Sequence, residues 1–239
     1  MLCFDFGNTR LKCGVFRNGQ LQETIVLEND LPDTIQALLD KYHPDSAVLS
    51  SVIGHHPELE SLLGSRTRFH RLSYQSRSPL STPVGKAETI GADRLAMMVG
   101  ALQQFPDAHM LVIGLGSCIT YNFVDKYHAF LGGSISPGME MRFKALNHYT
   151  AGLPLVKADW NYPLIGSDTR TNILSGVLLG MAKEIDGVIG AYRERYNHLE
   201  VLMTGGDAGL FSDHLTAEVH ADPDLIFKGL YEIGQLNLP

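Results

Sequence analysis

The chain has 239 residues, of which 44% are hydrophobic and 19% charged, and it carries a formal net charge of −7 at pH 7. A chain of this length and composition can bury a core without disulfide or metal staples. The acidic balance excludes the basic footprint of a nucleic-acid binder, and no apolar run reaches the length of a membrane span.

Three cysteines, Cys3, Cys13 and Cys118, lie in apolar stretches. An odd number without C-x-x-C spacing reads as buried free thiols, which suits a cytoplasmic protein. The N-terminus has an acid at Asp5 and no basic region before it, so it does not read as a signal peptide.

In chain order, residues 2–6 read as a short buried strand, followed by the turn Gly7-Asn8-Thr9. Residues 11–16 and 20–27 read as a hairpin around Asn18-Gly19. A helix over 31–42 places Ile35, Leu38, Leu39 and Tyr42 on one face. A strand over 47–52, a short helix over 58–63 and a strand over 67–72 come next. The stretch 76–89 has prolines and little periodicity and reads as a loop. A helix starts near Gly91 and runs to Gln104, with Leu95, Met98, Val99 and Leu102 as its stripe. The strand 109–113 then leads into the tight turn Gly114-Leu115-Gly116-Ser117. A second hairpin covers 118–125 and 128–135. Helices are predicted over 138–148 and 171–194, the latter broken in composition by Gly176, Gly180 and Gly187. A strand over 200–204 ends in Thr204-Gly205-Gly206, and the tail 224–236 is amphipathic.

The sequence of strand, glycine turn and hairpin occurs at 2–27 and again at 110–135, with Gly7 matching Gly116 and Asn8 matching Ser117. Such self-similarity signals duplication. It predicts two related α/β halves, 1–105 and 106–239, with a cleft between them. At the first turn, an aspartate on a strand end is costly unless it meets a cation or donors. Gly7 lets the backbone approach a ligand. The amides and side chains of Asn8 and Thr9 can donate to phosphate oxygens, Lys12 adds a point charge to the same anion, and Asp5 can hold Mg²⁺. Gly116, Ser117 and Thr120 form a second phosphate-grade turn, and Gly205-Gly206 would let a flat adenine or ribose lie on the backbone. Neither a Walker A loop nor a dinucleotide fingerprint occurs. Gly91-Ala92-Asp93-Arg94 opens a helix. Asp93 there either complements the helix dipole or, facing a phosphate site, serves as a general base, with Arg94 holding an anion.

Six elements follow one another in the order of a known family: Asp5-x-Gly7-Asn8-Thr9-x-x-Lys12, Gly91-Ala92-Asp93-Arg94, Gly132-Gly133-x-Ile135-x-Pro137-Gly138, Thr150-Ala151-x-Leu153-Pro154, Gly166-x-x-Thr169 with Ser175-Gly176, and Thr204-Gly205-Gly206. The series resembles type III pantothenate kinase over most of the chain. The resemblance implies a homodimer with a duplicated ribonuclease-H-like, actin-like ATPase fold. It also implies phosphorylation of pantothenate with ATP, the first step of coenzyme A synthesis. Asp5, Gly7, Asn8, Thr9 and Lys12, together with Gly116, Ser117 and Thr120, would bind phosphate, and Asp5 the Mg²⁺. Asp93 would take the proton from the pantothenate hydroxyl. Gly91 and Arg94 would line the pantothenate site, Thr169 would reach it from the partner subunit, and Gly205 and Gly206 would bound the adenosine pocket. The 132–138 stretch would be a core and dimer element.

Two positions depart from the pattern. The second phosphate turn of the family begins with an aspartate associated with a monovalent cation, K⁺ or NH₄⁺, and here that position is Gly114. The loop before Gly91, reading Lys86-Ala87-Glu88-Thr89, lacks the family's tyrosine and proline, which implies altered substrate contacts. Two alternatives stand beside the kinase reading: a superfamily kinase of another hydroxyl compound, and a catalytically impaired homologue with a regulatory or ligand-binding role.

Overall fold

A computed structural model describes residues 1–238. The strands form two five-stranded sheets, ordered β3-β2-β1-β4-β5 and β10-β9-β6-β7-β8. The chain divides into two compact units, one of residues 1–107, 124–132 and 224–239, the other of 108–123 and 133–223.

In the first unit, β1 (Leu2–Phe6), β2 (Leu11–Arg17) and β3 (Gln20–Leu27) make an antiparallel meander. Asn18 and Gly19 take positive φ angles of 50° and 80° at the β2–β3 turn, the backbone a two-residue hairpin needs to match strand twist. β4 (Ser46–Ser51) lies parallel to β1, and β5 (Arg68–Arg71) parallel to β4. Alternation along β1 buries Leu2, Phe4 and Phe6 in a core shared with Ile35, Leu38 and Leu39 of α1 (Pro32–Tyr42) and with Leu59 and Leu63 of α2 (Leu59–Arg66). The opposite face of β1 and β4 is covered by α8 (Leu225–Asn237), which packs along α3 (Ala92–Gln104). The amphipathic tail is thus a helix of the first unit.

In the second unit the same order recurs. β6 (His109–Leu115) runs into β7 (Cys118–Val124) through a two-residue link, which forces the pair antiparallel. β8 (Phe130–Pro137) follows. β9 (Leu199–Thr204) is parallel to β6, and the two-residue β10 (His220–Ala221), too short to leave a strand pattern in the sequence, is parallel to β9. Between them come α4 (Met139–His148), α5 (Thr169–Leu174), a π-helical turn (Ser175–Leu179), α6 (Gly180–Arg195) and α7 (Ala208–Ser212). The expected long helix therefore begins two residues earlier than its apolar pattern, where Asp168 caps it by accepting the Thr171 amide at 2.8 Å. Two meanders, each followed by parallel strands on the same side of the first strand, are a duplicated ribonuclease-H-like fold. Of the cysteines, Cys3 and Cys13 are buried and unpaired, while Cys118 is only partly covered.

Candidate active site

Strand register assembles the acidic end of the first unit. Asp5 lies opposite Lys12 on β2 and opposite Ser50 on β4. Side chains at matched positions of neighbouring strands share a face, so all three stand on the side away from the Leu2–Phe4–Phe6 core. Two residues earlier along that face, Gly14 and Val48 meet α8: a Cβ on Gly14 would touch the Phe227 ring at 2.7 Å, and Val48 lies against Gly234. Asp5 also lies within the field of Asp93, at the head of α3.

Burial, with the Asp93 charge adding to it and Lys12 opposing both, raises the Asp5 carboxyl to about 7. Asp93 is also raised, first by burial, against the pull of the Arg94 amide and guanidinium. The Asp93 carboxylate accepts the Arg94 backbone N–H at 2.8 Å. That contact explains the residue before the helix, since a Cβ on Gly91 would lie 2.5 Å from the Asp93 Oδ1. The Arg94 guanidinium, its pKa lowered by burial, sits 5.6 Å from the centre of the Phe130 ring. Asn8 and Thr9 form an exposed bend, and the Gly7 amide closes it by donating to the Arg10 carbonyl at 3.1 Å. The Gly7 N–H is therefore committed to the turn.

The second unit repeats the device. The Gly116 amide donates to the Cys118 carbonyl at 3.1 Å. Thr120 Oγ1 accepts from Asn122 Nδ2 at 3.2 Å, which leaves its own proton available, and Asn122 is fully buried, anchored on the Val112 carbonyl at 2.9 Å. Gly205, at φ +103°, turns directly against the end of β6, where a Cβ would lie 2.1 Å from the Leu115 carbonyl. The same carbonyl accepts the Asp207 amide at 3.2 Å. The Gly116-Ser117 turn and the Gly205-Gly206 turn, far apart in sequence, are thus brought to one strand end. Gly114 lies opposite Thr204 on β9. Thr169 is exposed at the first position of α5.

Gly7 and Gly116 differ from Gly205 in one respect. A Cβ on Gly7 would have the Arg10 carbonyl at 3.5 Å as its nearest neighbour, and one on Gly116 would meet nothing within 4 Å. Internal packing does not demand glycine at either turn, whereas approach of a ligand to the backbone would.

Among the described residues no group of three or more His, Cys, Asp and Glu gathers to hold a metal by itself. A cation that arrives with nucleotide phosphates needs only one or two carboxylates, the rest of its shell being phosphate and water. Asp5 and Asp93, two neighbouring carboxylates disfavoured in their ionised forms, fit that role. So does the fully buried Ser50 hydroxyl, which has no hydrogen-bond partner. Ser50 and Asn122 were not singled out from sequence; the only signal for either was a polar residue within an apolar strand. Trp160 stacks on His214 at 3.8 Å and meets Phe211 edge-on at 4.9 Å.

A model of the type III pantothenate kinase family matches residues 1–191. The chain is 40% identical over 237 residues to a type III pantothenate kinase of Cytophaga hutchinsonii, with 99% of each chain covered. It is 38% identical over 242 residues to one from Bacteroides fragilis, covering 99% of this chain and 98% of the relative. Among solved structures, a protein of Sinorhizobium meliloti assigned as a 2-dehydro-3-deoxygalactonokinase has a TM-score of 0.60 over 98% of both chains at 12% identity, a likeness of fold.

Proposed function

The chain belongs to the type III pantothenate kinase family, and from that premise we propose that it transfers the γ-phosphoryl group of ATP to the primary hydroxyl of pantothenate, the first step of coenzyme A synthesis. Membership makes it a kinase, with ATP as donor and a divalent metal beside it. The observation that carries the reading is the strand register that sets Asp5, at the end of β1, beside Lys12 and Ser50, where the charge of Asp93 from the head of α3 also acts. Phosphoryl transfer asks little covalent chemistry of a protein; it needs charge stabilisation, alignment and a base near the attacking oxygen.

The roles divide by environment. Asp93, raised above the ordinary carboxylate range by burial, accepts the proton of the pantothenate hydroxyl. Arg94, beside it, binds the pantothenate carboxylate, and Gly91, whose missing Cβ makes room for the Asp93 carboxylate, lines the same site. Asp5 holds Mg²⁺, whose chemistry is to neutralise charge on the β- and γ-phosphates. Lys12 adds a second positive charge to the same anion, and Asn8 and Thr9 donate to phosphate oxygens. In the second unit, Ser117 and Thr120 donate hydroxyl hydrogen bonds to phosphate, and Gly205 and Gly206 bound the adenosine. The open space at Gly7 and Gly116 supports backbone approach by the nucleotide. Gly114 supplies no acid for a monovalent cation, so a requirement for K⁺ or NH₄⁺ has no support at this position.

The active form is a homodimer in which Thr169 reaches the partner's pantothenate. Support comes from apolar side chains left in solvent on the second unit, among them Ile135 on the edge strand β8, and Tyr149 and Ile165, each 83% exposed. Free thiols suit a cytoplasmic enzyme. Incubating the purified chain with MgATP and pantothenate, and with sugars in parallel, tests the reading by mass spectrometry of the products. 4′-Phosphopantothenate is expected; a phosphorylated sugar with untouched pantothenate would replace this substrate with another.

A further inference from the structure

Ser50 is the one described residue with a buried side-chain oxygen or nitrogen that has no hydrogen-bond partner. It is 0% exposed, on the inner strand β4, between β1 and β5. A hydroxyl sealed from water without a partner costs free energy, so such a group calls for an explanation. Packing does not supply one: alanine would fill nearly the same space without the penalty. Register does supply one. Ser50 is the parallel-strand partner of Asp5, and matched residues point to one face, so the hydroxyl stands on the same face as the acid on which the charge of Asp93 also bears. The duplicated position in the second unit offers a contrast, because there Thr204 is matched with Gly114, which carries no acid.

We propose that Ser50 is a positioning residue of the metal–nucleotide subsite: its hydroxyl holds the Asp5 carboxylate, directly or through one water, in the orientation that takes the divalent cation. This rests on the kinase reading, in which Asp5 binds that cation. When the metal–nucleotide is bound, ionised Asp5 or a water of the cation's shell gives this hydroxyl its partner. The proton of the hydroxyl stays on Ser50 throughout, so its role is orientation and not catalysis.

The test compares Ser50→Ala with the wild type in the full chain by two measurements that do not depend on turnover. Thermal unfolding without ligand should show a Tm unchanged or raised, since the substitution removes an unpartnered group. Calorimetric titration should show MgADP bound more weakly by on the order of tenfold, the effect of one charge-assisted hydrogen bond. ADP binding in EDTA should be unaltered. In an Asp5→Asn background, Ser50→Ala should have no further effect on MgADP affinity. Ser50→Cys, close in volume and a weak donor, repeats the comparison should the alanine chain not fold. A lowered Tm with unchanged MgADP affinity would make Ser50 a packing residue and overturn the proposal, as would equal weakening with and without Mg²⁺. Those outcomes leave the kinase reading standing. A wild-type chain that does not bind MgADP would overturn both.

Discussion

Asp93, in the first turn of α3, acts through its charge on Asp5, at the end of β1, and adds to burial in raising the Asp5 carboxyl to about 7. The sign of its effect on stability follows. Between its usual 3.8 and about 7, Asp5 keeps its proton in the folded chain and loses it in the unfolded one. The folded state then binds more protons, so stability falls as pH rises through that window. In EDTA, the wild type should lose on the order of a few kcal/mol from this group between the two pH values. Asp5→Asn should flatten the slope and exceed the wild type in stability at pH 8. Denaturant melts at several pH values measure this; a wild-type stability that rises steadily toward pH 7 through this group would contradict it.

Three glycines separate packing from ligand approach. Gly205→Ala should destabilise the fold by at least about 1–3 kcal/mol from backbone strain at its φ of +103°, and the clash with the Leu115 carbonyl adds to that. Gly116→Ala should fold with near wild-type stability, because nothing lies within 4 Å of its Cβ, while weakening MgADP binding at least tenfold. Gly7→Ala should resemble Gly116→Ala. Urea melts and nucleotide titrations on the same samples distinguish the two classes.

Gly114 sits on β6 opposite Thr204, with no acid at this point of the strand pair. Turnover in K⁺ or NH₄⁺ should therefore match that in Na⁺ within about twofold, the small residue left by ionic-strength effects alone. Gly114→Asp should introduce a preference for one monovalent cation. Initial rates at constant ionic strength decide this, and a strong K⁺ requirement in the wild type would place the cation on other ligands.

The duplication was legible because each copy repeats both the apolar strand and its glycine turn, and both copies fold to the same strand order. The Asn18-Gly19 hairpin was legible because only a few residue pairs tolerate positive φ at both positions. Asp93 could be found at a helix head, but its electrostatic hold on Asp5 depends on α3 packing against α8 and β4, a tertiary placement that no local pattern encodes. Ser50 and Asn122 look like interruptions of apolar strands; the meaning of Ser50 comes from register, which sets it beside Asp5, and that of Asn122 from its bonds to Thr120 and to the Val112 carbonyl on the neighbouring strand. Likewise, Gly116 and Gly205 read as separate turns until both are seen against Leu115.

The measurement to make first is kcat for the wild type and for Asp93→Asn with saturating MgATP and pantothenate, alongside MgADP affinity by calorimetry. If Asp93 is the general base, the wild type forms 4′-phosphopantothenate and Asp93→Asn falls by about 100-fold or more, with nucleotide affinity held within a few-fold. A variant that turns over at the wild-type rate, or a wild type that binds both ligands and transfers nothing, would mean that the Asp5–Asp93 end of the first unit is not where phosphoryl transfer is carried out.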